Sequence, residues 1–508
     1  MEIPKTKSPL AVSPKDAAFA AAMLLCGFLF WNFIMDAGRP GTGIALFAFI
    51  LFALTFIYLS KKGFHQTTQS IIVLVLAALC ALQFVLFDFT FISLLNFIFG
   101  AMLFVYWVMI TTGNSITEQL SVYFSGDVVA QGLVVPFCNF GTASTALASS
   151  IQKERVKGLL LALVGVLFFF PLLAAVVSLL MSADFMFESF VTELFDLLHT
   201  NTFMPYLWHF VLGIPVAFYL FGLVFGNVKK RYTDSITTDS MDRAAGRARF
   251  APSVTIYSAL IAFCVVYLIF FIVQAAYLFS GFGASLPETF TYAEYARRGF
   301  FELCTVAGIN LVVLGIAHVL MKRDLGDEPR ELRIATVVIS VFTLLLIATA
   351  LSKMVMYIDA YGLTLLRTYT SWFMVLLFFI FSVIVFRQFK RFNASRIVIV
   401  GFVVLFMLLA FANVDGVIAN YNISKYEREI DSGIEATFDL ETLMGLSDAT
   451  VPSLYQMYQR LGQGQSSDAA LRAQLKEAIL DREDTSSYTF RSFSYQRYRA
   501  DQIAQSLR

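Results

Sequence analysis

Eleven stretches of apolar residues, each close to twenty residues long, constrain the fold of this chain more than any other feature. A helix rises about 1.5 Å per residue, so a stretch of that length crosses the roughly 30 Å hydrocarbon core of a bilayer. The stretches fall near 17–35, 43–60, 71–87, 91–111, 158–181, 205–226, 253–279, 299–320, 334–356, 368–388 and 397–414. Hydrophobic residues make up 58% of the 508, including 54 phenylalanines. A soluble domain with that balance would expose large apolar patches to water. The expected fold class is therefore all-α: a polytopic transmembrane helical bundle of about 11 spans with a small helical extracytoplasmic tail.

An odd number of spans puts the two termini on opposite faces, and the placement of Lys and Arg decides which is which. The N-terminal side carries most of them, among them Lys5, Lys7, Lys15, Lys61, Lys62, Lys229, Lys230 and Arg231. The opposite loops hold only Arg39, Arg297, Arg298 and Arg367, with Lys353 at a span end. The loop 182–204 contains Asp184, Glu188, Glu193 and Asp196 and no basic residue. The expected organisation is a cytoplasmic N-terminus over 1–16, a transmembrane domain over 17–420 and an extracytoplasmic helical tail over 421–508. No small-residue cleavage site follows the first apolar stretch, which reads as a retained helix.

Several function classes drop out. A net charge of +1, with the basic residues in short loops, argues against nucleic acid as a partner. The four histidines, His65, His199, His209 and His318, lack mutual metal-ligand spacing, and the five cysteines include no CxxC. Neither a metal nor a cofactor is expected. No Walker, GxGxxG or GxSxG motif occurs, so ATP-driven transport within this chain is not expected.

Two segments depart from regular threading. Residues 112–157 contain GLVVPFCNFGTAST, broken by Pro136 and Gly141 and too short to cross. The segment reads as re-entrant or, preferably, as a helical hairpin lying on the membrane. From about Tyr421 the chain turns polar. There Ser447 or Asp448 reads as an N-cap before Pro452, Gly462 as a stop, 468–480 as a second helix, and the final residues as a third.

One cluster of ionisable residues stands out. Glu294, Arg298 and Glu302 are spaced four apart and share a helix face, beside Arg297. Asn310 continues that stripe about 12 Å further on, near mid-bilayer. Lys353, Asp359, Arg367 and Asp415 reach the same outer level from the later spans. Ionisable residues at such depth face protein or a wet cavity and are candidates for function. Their balanced charges fit equally well an interhelical ion-pair network that only holds the helix tops together.

The blocks YAEYARRGFFELCTVAGIN (Tyr292–Asn310) and MYIDAYGLTLLRTYTSWF (Met356–Phe373), followed by LSDATVPSL (Leu446–Leu454), carry a resemblance. The chain resembles a bacterial family of multi-pass membrane proteins known only as domain of unknown function 4173, related to family 4153. That resemblance implies a bacterial inner-membrane protein and brings no catalytic residue with it, so the catalytic residues are unknown. The leading expectation is an envelope sensor or assembly component, using the outer-face cluster and the C-terminal tail. Its partners would be membrane lipids and another envelope protein. The alternative is a transporter or membrane-embedded transferase acting on an anionic or lipid-linked substrate.

Overall fold

A computed structural model describes residues 12–35, 41–88, 90–117, 120–149, 154–198, 203–233, 236–281, 300–322, 329–433, 437–461, 469–482 and 489–508. Most of 154–171, with 195–198, 203–204, 244 and 274–281, is described by backbone alone. The regular elements are helices. In chain order they are α1 (Pro14–Met35), α2 (Thr42–Lys61), α3 (Thr68–Leu86), α4 (Phe91–Thr111), α5 (Phe124–Cys138), α6 (Thr142–Ser149), α7 (Glu154–Ala183), α8 (Phe185–Leu198), α9 (Phe203–Val228) and α10 (Thr238–Ala248). There follow α11 (Ser253–Gly281), α12 (Phe300–Leu320), α13 (Arg330–Tyr361), α14 (Leu365–Phe389), α15 (Ala394–Phe411), α16 (Val414–Asp431), α17 (Leu440–Met444), α18 (Val451–Leu461), α19 (Ala469–Leu480) and α20 (Tyr495–Ser506). Among the described residues there is no strand, only an isolated bridge between Ala251 and Met321. Ten of the helices, α1 to α4, α9 and α11 to α15, are long and apolar enough to cross a membrane. The remaining expected span, 158–181, lies within α7, whose side chains are only partly described.

Two compact units divide the chain. The first comprises Met1–Glu118, Phe124–Thr237 and Glu483–Gln502; the second comprises Gln119–Tyr123, Thr238–Arg482 and Ile503–Arg508.

In the first unit, α1 begins with Pro14 at its first turn and a capping box between Ser13 and Asp16. Asp16 is fully buried, bridged to Lys62 and accepting from the Tyr58 hydroxyl at 2.7 Å. Helices α1 and α9 touch backbone to backbone. A Cβ on Gly27 would sit 2.0 Å from the Gly213 carbonyl oxygen, so only glycine permits the crossing. Helices α3 and α4 form a hairpin joined inside by Gln83, Ser93 and Asn96, with Asn96 Nδ2 donating to the Cys80 carbonyl at 2.7 Å.

The segment read from sequence as re-entrant or as a hairpin on the membrane packs one face against protein. Helix α5 contains a π-turn at Ala130–Val134 and fits against α9 where Gly222 and Gly226 leave room for Pro136 and Asn139. Its inner face, including Gln131, Val135 and Asn139, is fully buried, while Val129, Leu133 and Phe137 form an exposed apolar stripe. Small residues on α9 and on α6 (Ala143, Ala146, Ala148) make this approach cheap; hydropathy over the same window carries no trace of it.

The residues 489–502 complete one end of the first unit, at the start of α2. The amide groups of Thr42 and Gly43 donate to the carbonyls of Phe493 and Arg491, both at 2.9 Å. These are amides at the start of α2 that have no acceptor inside their own helix. Arg497 reaches Asp88 at 2.5 Å and the Ser492 carbonyl at 2.7 Å.

The second unit is a bundle of α11 to α15 around a core that includes Tyr267, Phe300, Ala307, Ile339, Ile347 and Phe381. After α15 the chain breaks at Asn413, which adopts the left-handed conformation (φ +48°), and continues as the polar helix α16. Helix α18 packs on α16 and on α19.

Candidate functional site

Glu294, Arg297 and Arg298 lie outside the described residues, so the geometry concerns the other six members of the predicted cluster. Glu302 is exposed on the first turn of α12 and interacts electrostatically with the half-buried Lys353 of α13. Lys353 is not at its helix end. Helix α13 continues to Tyr361, leaving Lys353 about 12 Å short of its terminus. Asp359 is exposed on the last turn of the same helix.

Asn310 sits in the interior. It is fully buried, accepts from the Tyr267 hydroxyl and donates to Thr343 Oγ1 at 2.9 Å. Thr343 in turn donates to the Ile339 carbonyl at 2.7 Å. One amide therefore ties α11, α12 and α13 together at mid-helix. Asn310→Leu should cost about 1–2 kcal/mol of stability in detergent by leaving Tyr267 and Thr343 without their partner. A double-mutant cycle with Tyr267→Phe should show positive coupling.

Arg367 and Asp415 belong to a second arrangement, centred on the turn between α13 and α14. The helix stops because Gly362 takes φ +79°, a conformation that costs glycine nothing. Thr364 then caps α14. The Arg367 guanidinium lies 4.1 Å over the Tyr357 ring. It donates to the carbonyls of Gly362 and Tyr361. Lys425, on α16, donates to the Ala360 carbonyl at 2.8 Å. Two cations thus satisfy the last carbonyls of α13, where the helix dipole is negative.

Asn422 completes the turn. Its Oδ1 accepts from the Leu363 amide at 2.7 Å and its Nδ2 donates to the Leu363 carbonyl at 2.9 Å. A Cβ on Gly362 would meet Asn422 Oδ1 at 2.6 Å. The turn is consequently held by α16 as a sheet edge holds a strand, through both backbone groups of one residue.

From α16 the connection runs on into the tail. Asp415 is buried, at 5% exposure, and accepts from the Ser447 amide at 2.9 Å. Ser453 donates to Asn420 at 2.8 Å, and Arg460 pairs with Glu427 at 2.6 Å. Arg482 donates to the carbonyls of Leu443, Met444, Leu446 and Ser447 at 2.7–2.9 Å. A single guanidinium therefore folds the segment that leads into α18.

Arg367, Lys425 and Arg482 direct their donors at backbone carbonyls, and Asp415 receives a backbone amide. Among the described residues, no three His, Cys, Asp or Glu side chains gather where they could hold a metal ion.

Comparison with known families bears on these same residues. The family described as domain of unknown function DUF4153 matches residues 71–457, about three quarters of the chain. This chain belongs to the DUF4153 family. The match shows 4153, where the sequence blocks suggested 4173 with 4153 as its relation. It begins at α3, so it takes in the earlier half of the chain as well as the α13–α14 turn. No curated protein and no solved structure matches. With its ten apolar helices, this DUF4153 protein is a multi-pass integral membrane protein whose family carries no assigned activity.

Sequence reasoning passed over Asn422, Lys425 and Arg482. The partner of Asn422, Leu363, is 59 residues away, and no local pattern marks either. Asn422→Ala should free the turn while leaving the spans intact. Limited proteolysis of the protein in lipid should then cut between 360 and 365 at least ten times faster, with little change in helix content.

Proposed function

We propose that this protein is an envelope sensor or assembly component of the bacterial inner membrane, with a cytoplasmic N-terminus and an extracytoplasmic tail. In this reading the tail docks another envelope protein. The turn between α13 and α14 passes the position of the tail to the membrane helices, among the lipids that surround them. The observation that carries the reading is the grip of α16 on that turn, through Asn422 and Lys425, continued by Asp415 into Ser447. A protein that only anchored a tail would not need both backbone groups of Leu363 held by a side chain from the tail helix.

The alternative, a transporter or transferase with an anionic or lipid-linked substrate, needs arginines turned toward a cavity. Arg367 is instead taken up by two carbonyls and an aromatic ring. That favours linkage over ligand binding at this position.

Gln456 and Gln459 are exposed on α18 and suit a photo-crosslinking residue. In cells, crosslinking from these positions should give an adduct with a second envelope protein, and Asn422→Ala should weaken it severalfold. An adduct unaffected by Asn422→Ala, or none from either position, contradicts the proposal.

A further inference from the structure

In the first unit a carboxyl group is buried, and among the described residues no cation pairs with it. Asp127, on α5, is 3% exposed, and Gln131, one turn further along the same helix, is fully buried. Asp127 Oδ2 accepts from the Ile116 amide at 3.0 Å. Among the described residues, Asp127 Oδ1 and Gln131 Oε1 have no hydrogen-bond partner. Both are acceptors, and their four-residue spacing puts them on one helix face. The Gln131 amide nitrogen donates to the Asn114 carbonyl at 3.5 Å.

Three other buried aspartates have a cation that this site lacks: Asp16 has Lys62, with Tyr58, Asp88 has Arg497, and Asp448 has Arg482. The side chains that act on or beside Asp127 are Tyr106 of α4, Ser115 of the preceding loop and Gln131; Ser115, Gln131 and the Ile116 amide favour its ionised form, and burial outweighs them. The cation bound to this broken segment, Arg231, is engaged with Asn139 Oδ1 at 3.0 Å. Burial raises the pKa of Asp127 above the ordinary carboxylate value.

We propose that Asp127 is a proton-binding site, a neutral carboxylic acid whose O–H is donated to the amide oxygen of Gln131. One proton satisfies both orphaned acceptors and leaves no charge buried. A hard metal cation would need about six oxygen ligands, far more than the two that stand free here. The site lies at the π-turn Ala130–Val134, where the helix is already interrupted. Loss of the proton would leave a carboxylate against Gln131 Oε1 with no counter-ion, so deprotonation should loosen α5 from α9.

The sign of the pH effect follows. A carboxyl with a raised folded-state pKa contributes its full stability below its unfolded value, and the contribution is lost as pH climbs toward the folded value. The unfolding temperature of the full chain in lipid should therefore fall with rising pH more steeply for wild type than for Asp127→Asn, which keeps the shape and the donor.

Infrared difference spectroscopy of wild type against Asp127→Asn is the direct test. At neutral pH it should show a protonated-carboxyl band belonging to wild type, converting to carboxylate only at higher pH. A carboxylate band at neutral pH would overturn the proposal. So would a rise in unfolding temperature specific to sodium chloride over choline chloride that Asp127→Asn abolishes, since it would put sodium at the site. Should the variant fail to accumulate, carbon-13 carboxyl resonances of aspartate-labelled wild type replace it. One aspartate protonated at neutral pH and shifted by Gln131→Leu supports the site; aspartates all ionised there overturn it.

Discussion

Replacing Arg497 with alanine should cost the first unit about 3 kcal/mol, the lower end of what breaking a buried ion pair costs. The lower end applies because the Asp88 side chain keeps 12% exposure, whereas Arg497 keeps 2%. Asp88 would be left with its charge and without the guanidinium at 2.5 Å, and the Ser492 carbonyl would lose its donor. The segment 489–494 should then detach from the start of α2 and become open to protease. Asp88→Ala with Arg497→Ala should be less harmful than the sum of the two single changes, because removing both leaves no uncompensated charge. Thermal unfolding of the four proteins in lipid measures the cycle. Additive losses would show that the pair contributes nothing as a pair.

Gly27→Ala is expected to be of similar size, about 2–3 kcal/mol, for a steric reason. The added methyl would lie 2.0 Å from the Gly213 carbonyl oxygen and 2.8 Å from its carbon, and a backbone cannot rotate out of the way as a side chain can. Helices α1 and α9 would have to separate, losing the small-residue contact that takes the place of hydrophobic driving force between helices in lipid. Gly315→Ala on α12, where nothing lies within 4 Å, should be neutral or stabilise by about 0.5 kcal/mol through helix propensity. Unfolding midpoints of the two variants compare a crossing glycine with an idle one.

The spans were legible because a crossing helix announces itself by length and apolarity alone, which is how ten of them were found at the expected places. Ser447 and Pro452 likewise marked local structure that local chemistry determines: a 3-10 turn at Asp448–Thr450 followed by α18. What the sequence did not disclose depends on distant partners. The acceptors for the α2 amides come from residues some 450 positions later, and nothing around Thr42 signals them. Arg367 read equally as a charge in a cavity or a member of an ion-pair network, because the carbonyls it binds belong to every residue and no pattern distinguishes them. Residues 112–157 read as re-entrant or as a hairpin on the membrane, and their packing was not legible because the glycines that admit Pro136 and Asn139 are on another helix, at 222 and 226.

The central claim is that the tail and the α13–α14 turn form one mechanical unit through α16. Hydrogen exchange of the full chain in lipid, wild type against Asn422→Ala, tests it most directly. Releasing Leu363 should speed exchange at the turn and also across residues 440–461, which are joined to it through α16 and Asp415. Faster exchange confined to residues 360–365, with α18 as protected as in wild type, would contradict the account.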